Sequence, residues 1–308
     1  MLSYRHAFHA GNHADILKHA LLSRIAIGLL AKDKPFSYID THAGAGVYSL
    51  DAEWSQKTGE AERGIMQLLE RADIPPLLAP YRDLCAEFYR SGHRYPGSPE
   101  IVRSFAREGD QLTLLELHPT EIENLRANLS GDERVHIHHR DGYAGVLALS
   151  PPTPRRGFAL MDPSYETADD YARTAETLLT LHRKWPVGIL ALWYPIVARR
   201  ESELSGLKEQ FAAAGIPGIL IAELRVREGM DSALDPADRA APGARAVATG
   251  SAEDTSTEGY GLLGSGMLVV NPPWKLESEI SAFLPWLADR LGVNGQGRAN
   301  IEWLSPPE

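Results

Sequence analysis

A single cysteine, Cys85, occurs among 308 residues, no apolar run reaches eighteen residues, and basic side chains are not in excess. Each shortage excludes something. One cysteine rules out an internal disulfide framework and any multi-cysteine metal site, and it fits a reducing compartment. Without an apolar run of spanning length, no membrane segment is expected. The opening MLSYRHAFHAGNHADILKH also lacks the apolar stretch of a secretory signal, so a cytoplasmic location is expected. The formal charge of −10 offers no overall capacity for holding phosphates through counterion release.

The charge is unevenly placed, however. Residues 1–34 hold Arg5, Lys18, Arg24, Lys32 and Lys34 against Asp15 and Asp33, a local +3, with His6, His9, His13 and His19 in the same stretch. Residues 229–264 hold six acids and two arginines, a local −4. With part of the acidity confined to one segment, a basic face elsewhere stays compatible with the sum.

Hydrophobic residues make up 44% of the chain, enough for one large domain or a domain carrying a smaller insertion. Residues 14–30 have helical apolar spacing, with Asn12 or His13 near the start. A short strand, Phe36–Asp40, runs directly into Thr41-His-Ala-Gly-Ala-Gly46. Residues 51–97 break the rhythm with helical stretches near 60–72 and 76–90, and read as a helical insertion; a helix at 98–107 resumes the main pattern. Strands Gln111–Leu117, Val135–Arg140, Gly157–Met161, 187–193, 218–227 and 265–271 then alternate with helices Pro119–Leu129, 142–149, 168–183, 199–214 and 276–291. Such alternation of Leu-, Ile- and Val-rich strands with helices predicts a mostly parallel sheet covered on both faces. Segment 229–264 reads as a long loop between the last two strands, and Asn300–Leu304 as a further short strand.

In an open α/β sheet, ligands bind beyond the carboxyl ends of the strands. Four polar signatures fall at such ends. Asp40-Thr-His-Ala-Gly-Ala-Gly46 offers a turn that admits close approach of backbone to ligand, or is an ordinary turn; its spacing is not the full G-x-G-x-x-G of a pyrophosphate site. Glu116 either accepts both hydroxyls of a ribose or caps a helix. Asp141 either accepts from an adenine amino group or caps the helix at 142–149. The sharpest is Asp162-Pro163-Ser164-Tyr165. An aniline-like amine has its lone pair delocalised into the ring, so a methyl transfer to it needs imposed orientation. The Asp162 carboxylate and the Pro163 carbonyl can each accept one N–H, while Tyr165 supplies a stacking face for a flipped base. The alternative is a proline turn with a structural tyrosine. In this order and placement, the four signatures together fit an S-adenosylmethionine pocket.

With these strings in view, the sequence resembles the bacterial 23S ribosomal RNA adenine-N6 methyltransferases once described as proteins for using external DNA as a nutrient. The likeness runs over nearly the whole chain. It includes the opening Met-Leu-Ser-Tyr-Arg-His-x-Phe-His-Ala-Gly-Asn-His-Ala-Asp, the Asp40 loop, Tyr95-Pro-Gly-Ser-Pro, Glu116-Leu-His-Pro, Leu192-Trp-Tyr-Pro and Asn271-Pro-Pro-Trp-Lys. It implies a Rossmann-like class I methyltransferase fold with a mostly parallel seven-stranded sheet, formed by residues 1–50 and 98–308 and interrupted by the insertion 51–97. It implies S-adenosylmethionine contacts at His19, His42, Ser98, Glu116, Asp141, Gly142 and Asp162. Asp162 falls on the position that meets the target amine and is described as proton acceptor, and Tyr4 on one that handles the substrate adenine. The implied substrate is one adenine of free or protein-poor 23S ribosomal RNA, without a metal, and a monomeric enzyme is expected. The second proline of the family motif is replaced by Ser164, which loses ring stiffness and adds a hydroxyl able to bond locally. Segment 229–264 is also longer than the family's usual connection.

Several residues have bland readings beside these. The clustered histidines lack H-E-x-x-H or cysteine–histidine spacing, so no metal site is expected. His6 is a packing or RNA-facing group, and Lys18 meets a carboxylate or a phosphate, or faces solvent. Asn271-Pro-Pro-Trp274 reads as a structural turn with Trp274 as packing. Three rival functions are weaker: a DNA adenine methyltransferase using the same chemistry, a non-catalytic nucleic-acid binding protein, and a dinucleotide-dependent oxidoreductase.

Overall fold

Helix α1, His13–Leu30, begins at Asn12, whose side-chain oxygen accepts from the N–H groups of Ala14 and Asp15. The computed structural model describes residue 6 and residues 9–51, 59–227 and 262–307. Although its apolar spacing suggests one buried face, α1 is enclosed almost all round: Asp15, Lys18, His19, Ser23 and Arg24 are buried together with Ile16, Leu17 and Leu21. A helix so enclosed must satisfy its polar side chains inside the protein.

The main sheet consists of β1 (Ser37–Asp40), β4 (Gln111–Glu116), β5 (Val135–His139), β6 (Gly157–Met161), β7 (Ile189–Val197), β8 (Ile219–Arg225), β9 (Leu262–Val270) and β10 (Arg298–Ser305). Their order is β10-β8-β9-β7-β6-β1-β4-β5. From β7 to β5 the pairing is parallel; β9 runs antiparallel between β7 and β8, and β10 antiparallel to β8. Eight strands thus stand where seven were expected. The extra one is the further short strand expected at Asn300–Leu304, an edge strand whose exposure alternates along its length, with Ala299, Ile301 and Trp303 facing the core. Residues 262–264, expected in the loop, belong to β9, because Gly264 pairs with Arg225; the rest of that loop lies outside the described residues.

Successive strand residues go to opposite faces, as the pleat requires. Tyr38, Leu114 and Phe158 join one core with α1, α5 (Ser98–Phe105), α6 (Pro119–Leu129) and α10 (Leu276–Leu291). Ile39, Leu115 and Ala159 join the other with α7 (Gly142–Leu149), α8 (Asp169–Lys184) and α9 (Glu201–Ala213). The excursion at 51–97 is bracketed by a small antiparallel pair, β2 (Val47–Ser49) and β3 (Arg94–Pro96), and holds α2 (Glu60–Arg63), α3 (Met66–Leu69) and α4 (Ala79–Arg90). The single helix expected near 60–72 is split at Gly64, where a Cβ would lie 2.0 Å from the Gly11 carbonyl oxygen. Ile65, Leu68, Tyr81 and Cys85 share the core of α1, so the excursion is packed onto the main body.

The chain leaves β1 towards β4 on one side and later returns to β6 on the other. This is a topological switch point, and the carboxyl ends of β4, β1 and β6 bring Glu116, Asp40 and Asp162 to the same edge.

Candidate active site

Asp40 closes β1 and is completely buried. Its Oδ2 accepts from the Tyr38 hydroxyl at 2.6 Å and the Ser98 hydroxyl at 2.7 Å, and its Oδ1 from the His42 N–H at 3.2 Å. Burial pushes its carboxyl up to about 6, against the lowering effect of these donors. Ser98, at the start of α5, is thereby fixed to the base of the first strand-end loop. Glu116 closes β4 and bridges two loops, with Oε2 accepting from the Gly44 N–H at 2.8 Å and Oε1 from the His118 N–H at 2.6 Å. Each oxygen keeps a second lone pair, so the carboxylate is oriented without being saturated.

Asp141 caps α7, accepting from the Ala144 N–H at 2.8 Å, and the Arg173 guanidinium stands 3.3 Å from its Oδ2. The capping alternative is therefore realised, with a third of the side chain still exposed. Arg173 also lies over the Tyr143 ring, 3.9 Å from its centroid, and Tyr143 meets His42 edge to face. Burial drives His42 down to about 4, so its ring is neutral near pH 7. Gly142 is required by contact: a Cβ there would stand 2.0 Å from the Thr41 carbonyl oxygen. The loops after β1 and β5 thus touch through this glycine.

The sharpest strand end is organised by α1. Lys18 Nζ lies 2.6 Å from Asp162 Oδ2 and 2.9 Å from Asp15 Oδ1, with the lysine side chain 5% exposed and that of Asp15 1%. Burial works against the lysine's charge, but the two carboxylates overcome it and hold its pKa above the ordinary value. Burial likewise opposes the Asp15 carboxylate, yet His6, Lys18 and His19 hold it well below its usual range. Asp15 Oδ2 also takes the Gly11 N–H and the His6 Nε2, each at 2.9 Å. Lys18 therefore meets carboxylates, one of the alternatives expected for it, and does so from a buried position with two of its three donors engaged.

After Asp162 the chain turns through Pro163 and Ser164 to Tyr165, whose φ of 52° is left-handed. Tyr165 is buried, donates its hydroxyl to the Trp193 carbonyl at 2.9 Å and packs on Tyr171 with ring centroids 4.6 Å apart. Its ring is thus a wall of the turn, and the open stacking face expected of it is largely taken up by protein. Ser164 is half-buried, and its hydroxyl makes no hydrogen bond among the described residues. Two acceptors remain open there: Asp162 Oδ1 and the Pro163 carbonyl take no hydrogen bond from any described residue.

Behind this turn, His19 is 1% exposed, shares a 2.6 Å hydrogen bond with the Tyr95 hydroxyl and places Nε2 3.9 Å from Asp15. Burial holds its pKa well below the usual value. His6 packs on the Tyr48 ring at 5.0 Å besides meeting Asp15. Tyr4 lies outside the described residues. Sequence reasoning missed Asp15, Tyr38 and Trp193, whose ring lies 5.7 Å below the Lys18 ammonium. Asp15 and Trp193 stand inside strings already singled out, but neither has a spacing that reveals a partner.

The late Asn271 turn is structural as expected: Asn271 Nδ2 donates to the Pro186 and Gly188 carbonyls at 2.8 and 2.9 Å. Trp274 is not packing, however; it is 91% exposed.

The edge therefore presents one oriented carboxylate over each of two loops, a neutral imidazole beside a tyrosine, and a carboxylate–ammonium pair beside two open acceptors. These suit a nucleoside and an amine. A profile of the family described as Ribosomal RNA large subunit methyltransferase D, RlmJ, matches residues 33–234 and 253–305. The chain is 41% identical over 308 residues to Ribosomal RNA large subunit methyltransferase J of Escherichia coli (strain K12), covering 99% of this chain and 100% of that protein. It is 37% identical over 311 residues to the protein of the same name from Haemophilus influenzae, again over 99% of this chain and 100% of the relative. Among solved structures, protein LPL1258 of Legionella pneumophila superposes with a TM-score of 0.78 at 28% identity, over 96% of this chain and 98% of that one. The fold is accordingly the Rossmann-like methyltransferase fold. The chain belongs to the RlmJ family of ribosomal RNA large subunit methyltransferases.

Proposed function

We propose that this chain transfers a methyl group from S-adenosylmethionine to the exocyclic N6 amine of an adenine in 23S ribosomal RNA. The observation that carries the reading is the pair of open acceptors, Asp162 Oδ1 and the Pro163 carbonyl, on consecutive residues at the end of β6. An exocyclic amine has two N–H groups to offer such a pair. The relatives bear the name of ribosomal RNA methyltransferases, which favours RNA over DNA and transfer chemistry over mere binding.

The donor set fits the cofactor. Glu116 has lone pairs left for ribose hydroxyls, the partly exposed Asp141 a remaining Oδ2 lone pair for an adenine amine, and His42, Gly142 and Ser98 line the loops between them, with His19 in the wall behind. Bound there, S-adenosylmethionine supplies an electrophilic methyl group. Lys18 holds Asp162 by Oδ2 and so leaves Oδ1 aimed for the target amine. Asp162 and Pro163 then draw the two N–H bonds out of the plane of the base and help localise the nitrogen lone pair. The amine is not basic beforehand. The new N–C bond would form as the methyl's bond to sulfur breaks with its electron pair kept by sulfur, and the proton, acidic only once nitrogen carries positive charge, would then leave to water. Asp15, Lys18 and Asp162 together carry one net negative charge, which stabilises that developing charge. Asp162 thus acts first by orientation and electrostatics, and deprotonation of the ground state is not needed. Tyr4 and His6 are assigned to the adenine from the amino-terminal side, and Tyr165 and Ser164 shape the turn beneath it.

No described helix is long and apolar enough to cross a membrane. We take the chain to work in the cytoplasm as a monomer on free or protein-poor RNA, with residues 51–97 as an inserted element of the methyltransferase domain. Incubation of unmodified ribosomal RNA with labelled donor, followed by nucleoside analysis, tests the reading. N6-methyladenosine at one site is expected; label in another nucleoside, or none, refutes it.

A further inference from the structure

The opposite edge of the sheet, away from Asp162, carries an unusual surface. Trp274 is 91% exposed and Val187 68%. This tryptophan stands on a rigid support. Asn271, in the left-handed region at φ 54°, is pinned by its side chain to the Pro186 and Gly188 carbonyls, and the Leu276 N–H closes on the Pro273 carbonyl at 2.8 Å. Pro273 lies close to Gly28 near the end of α1, where a Cβ would come within 3.5 Å of its ring. Neighbouring loops are tied into the same rim. Arg156 donates to the carbonyls of Lys34 and Leu29, and the Trp185 indole N–H donates to the Arg155 carbonyl at 2.7 Å.

This rim holds six exposed basic residues, Lys32, Lys34, Arg155, Arg183, Lys184 and Lys275, against the exposed acids Asp33, Glu108 and Glu277. None of the six has a carboxylate within 4.0 Å among the described residues; Asp33 instead lies 3.7 Å from Arg107. A local excess of positive charge without direct carboxylate partners, in a chain of net charge −10, marks a place for a polyanion. A solvent-exposed indole on this anchored turn supplies a stacking face for an unpaired base.

We propose that this rim is a second docking platform for the RNA substrate, with a base stacked on Trp274 and adjoining phosphates on Lys275, Arg155 and the Lys32–Lys34 turn. The inference rests on the reading that the substrate is RNA. The platform and Asp162 stand at opposite ends of β6, five residues long, or about 16 Å. A folded RNA segment of several nucleotides spans that distance, whereas a short stem trimmed around the target adenine engages the catalytic edge alone.

The test compares full-length unmodified 23S ribosomal RNA with a short stem cut around the adenine that the methylation assay identifies. The variants are Trp274→Ala and the double variant Arg155→Glu/Lys275→Glu. On full-length RNA each is expected to raise KM and the directly measured Kd about tenfold, with kcat, thermal midpoint and all constants for the short stem unchanged. The charge-reversal variant should also flatten the slope of log Kd against log salt by about one or more. Unchanged Kd for full-length RNA overturns the platform, and so does an equal loss on both RNAs, which would place the effect at the catalytic edge. Wild-type protein methylating neither RNA overturns the functional reading instead, while the binding arm still decides whether the rim holds RNA.

Discussion

Replacing Lys18 with Met removes the ammonium between Asp15 and Asp162 while keeping a good helix former in the middle of α1. Asp15, 1% exposed, cannot regain water in its place. Removing one partner of a buried pair costs about 3–5 kcal/mol, because the remaining charge is left uncompensated. Two features pull the figure to the lower end. Asp162 keeps 13% of its side chain exposed, and Asp15 retains the Gly11 N–H and His6 Nε2, both at 2.9 Å. The expected loss at pH 8 is therefore about 3 kcal/mol. In the wild type, burial opposes but His6, Lys18 and His19 together depress the Asp15 pKa. A depressed carboxyl contributes stability above its unfolded pKa and loses it as pH falls through the folded value. Without Lys18 that contribution shrinks, so the deficit should be full at pH 8 and narrow as pH falls towards 4. Neutralising the stranded charge in the double variant Lys18→Met/Asp15→Asn should recover at least half of it. Urea unfolding followed by circular dichroism at pH 8 and pH 4.5 measures both. A Lys18→Met protein within about 0.5 kcal/mol of wild type at pH 8 would refute the idea that this lysine neutralises buried carboxylates.

Gly142→Ala should cost about 1–3 kcal/mol and weaken S-adenosylmethionine binding, because its Cβ meets the Thr41 carbonyl at 2.0 Å; calorimetry giving wild-type affinity would detach this contact from the pocket. Asp40 concerns pH. Burial raises its folded pKa to about 6 from the ordinary 3.8, so the folded state binds the proton more tightly and Asp40 lowers stability progressively as pH rises from about 4 through 6. Asp40→Asn should remove this decline and gain, between pH 4.5 and pH 8, about 2 kcal/mol relative to wild type; parallel stability–pH curves for the two proteins would contradict it.

The strand ends were legible because each carries a polar residue after an apolar run, as at Asp162 after Gly157–Met161 and Glu116 after β4. The alternation of elements gave the layered fold, and the start of α1 near Asn12 or His13 was visible. What stayed hidden depends on approach between distant segments. Lys18 and Asp162 are 144 residues apart, and nothing in helical spacing tells a lysine on an enclosed helix from one in water. Enclosure of α1 on all sides is decided by α4, α5 and α10, not by its own pattern. Tyr165 and Trp274 were misplaced in opposite senses, one expected open and found buried, the other expected buried and found open. An aromatic side chain suits either setting, and only the turn geometry chooses. Strand β10 was faint because a half-buried edge strand needs few apolar residues.

The central claim is that Asp162 orients the amine and stabilises the charge developing on it. Single-turnover methyl transfer by Asp162→Asn, with RNA and donor both saturating, measures this directly. The substitution keeps size and an acceptor oxygen but removes the negative charge, and Lys18 retains Asp15 as a partner. A charge-assisted hydrogen bond contributes about 1.5–3 kcal/mol, so transfer should slow by at least roughly tenfold while donor and RNA affinities change much less. Transfer at the wild-type rate would contradict the assignment of Asp162, whatever the protein methylates.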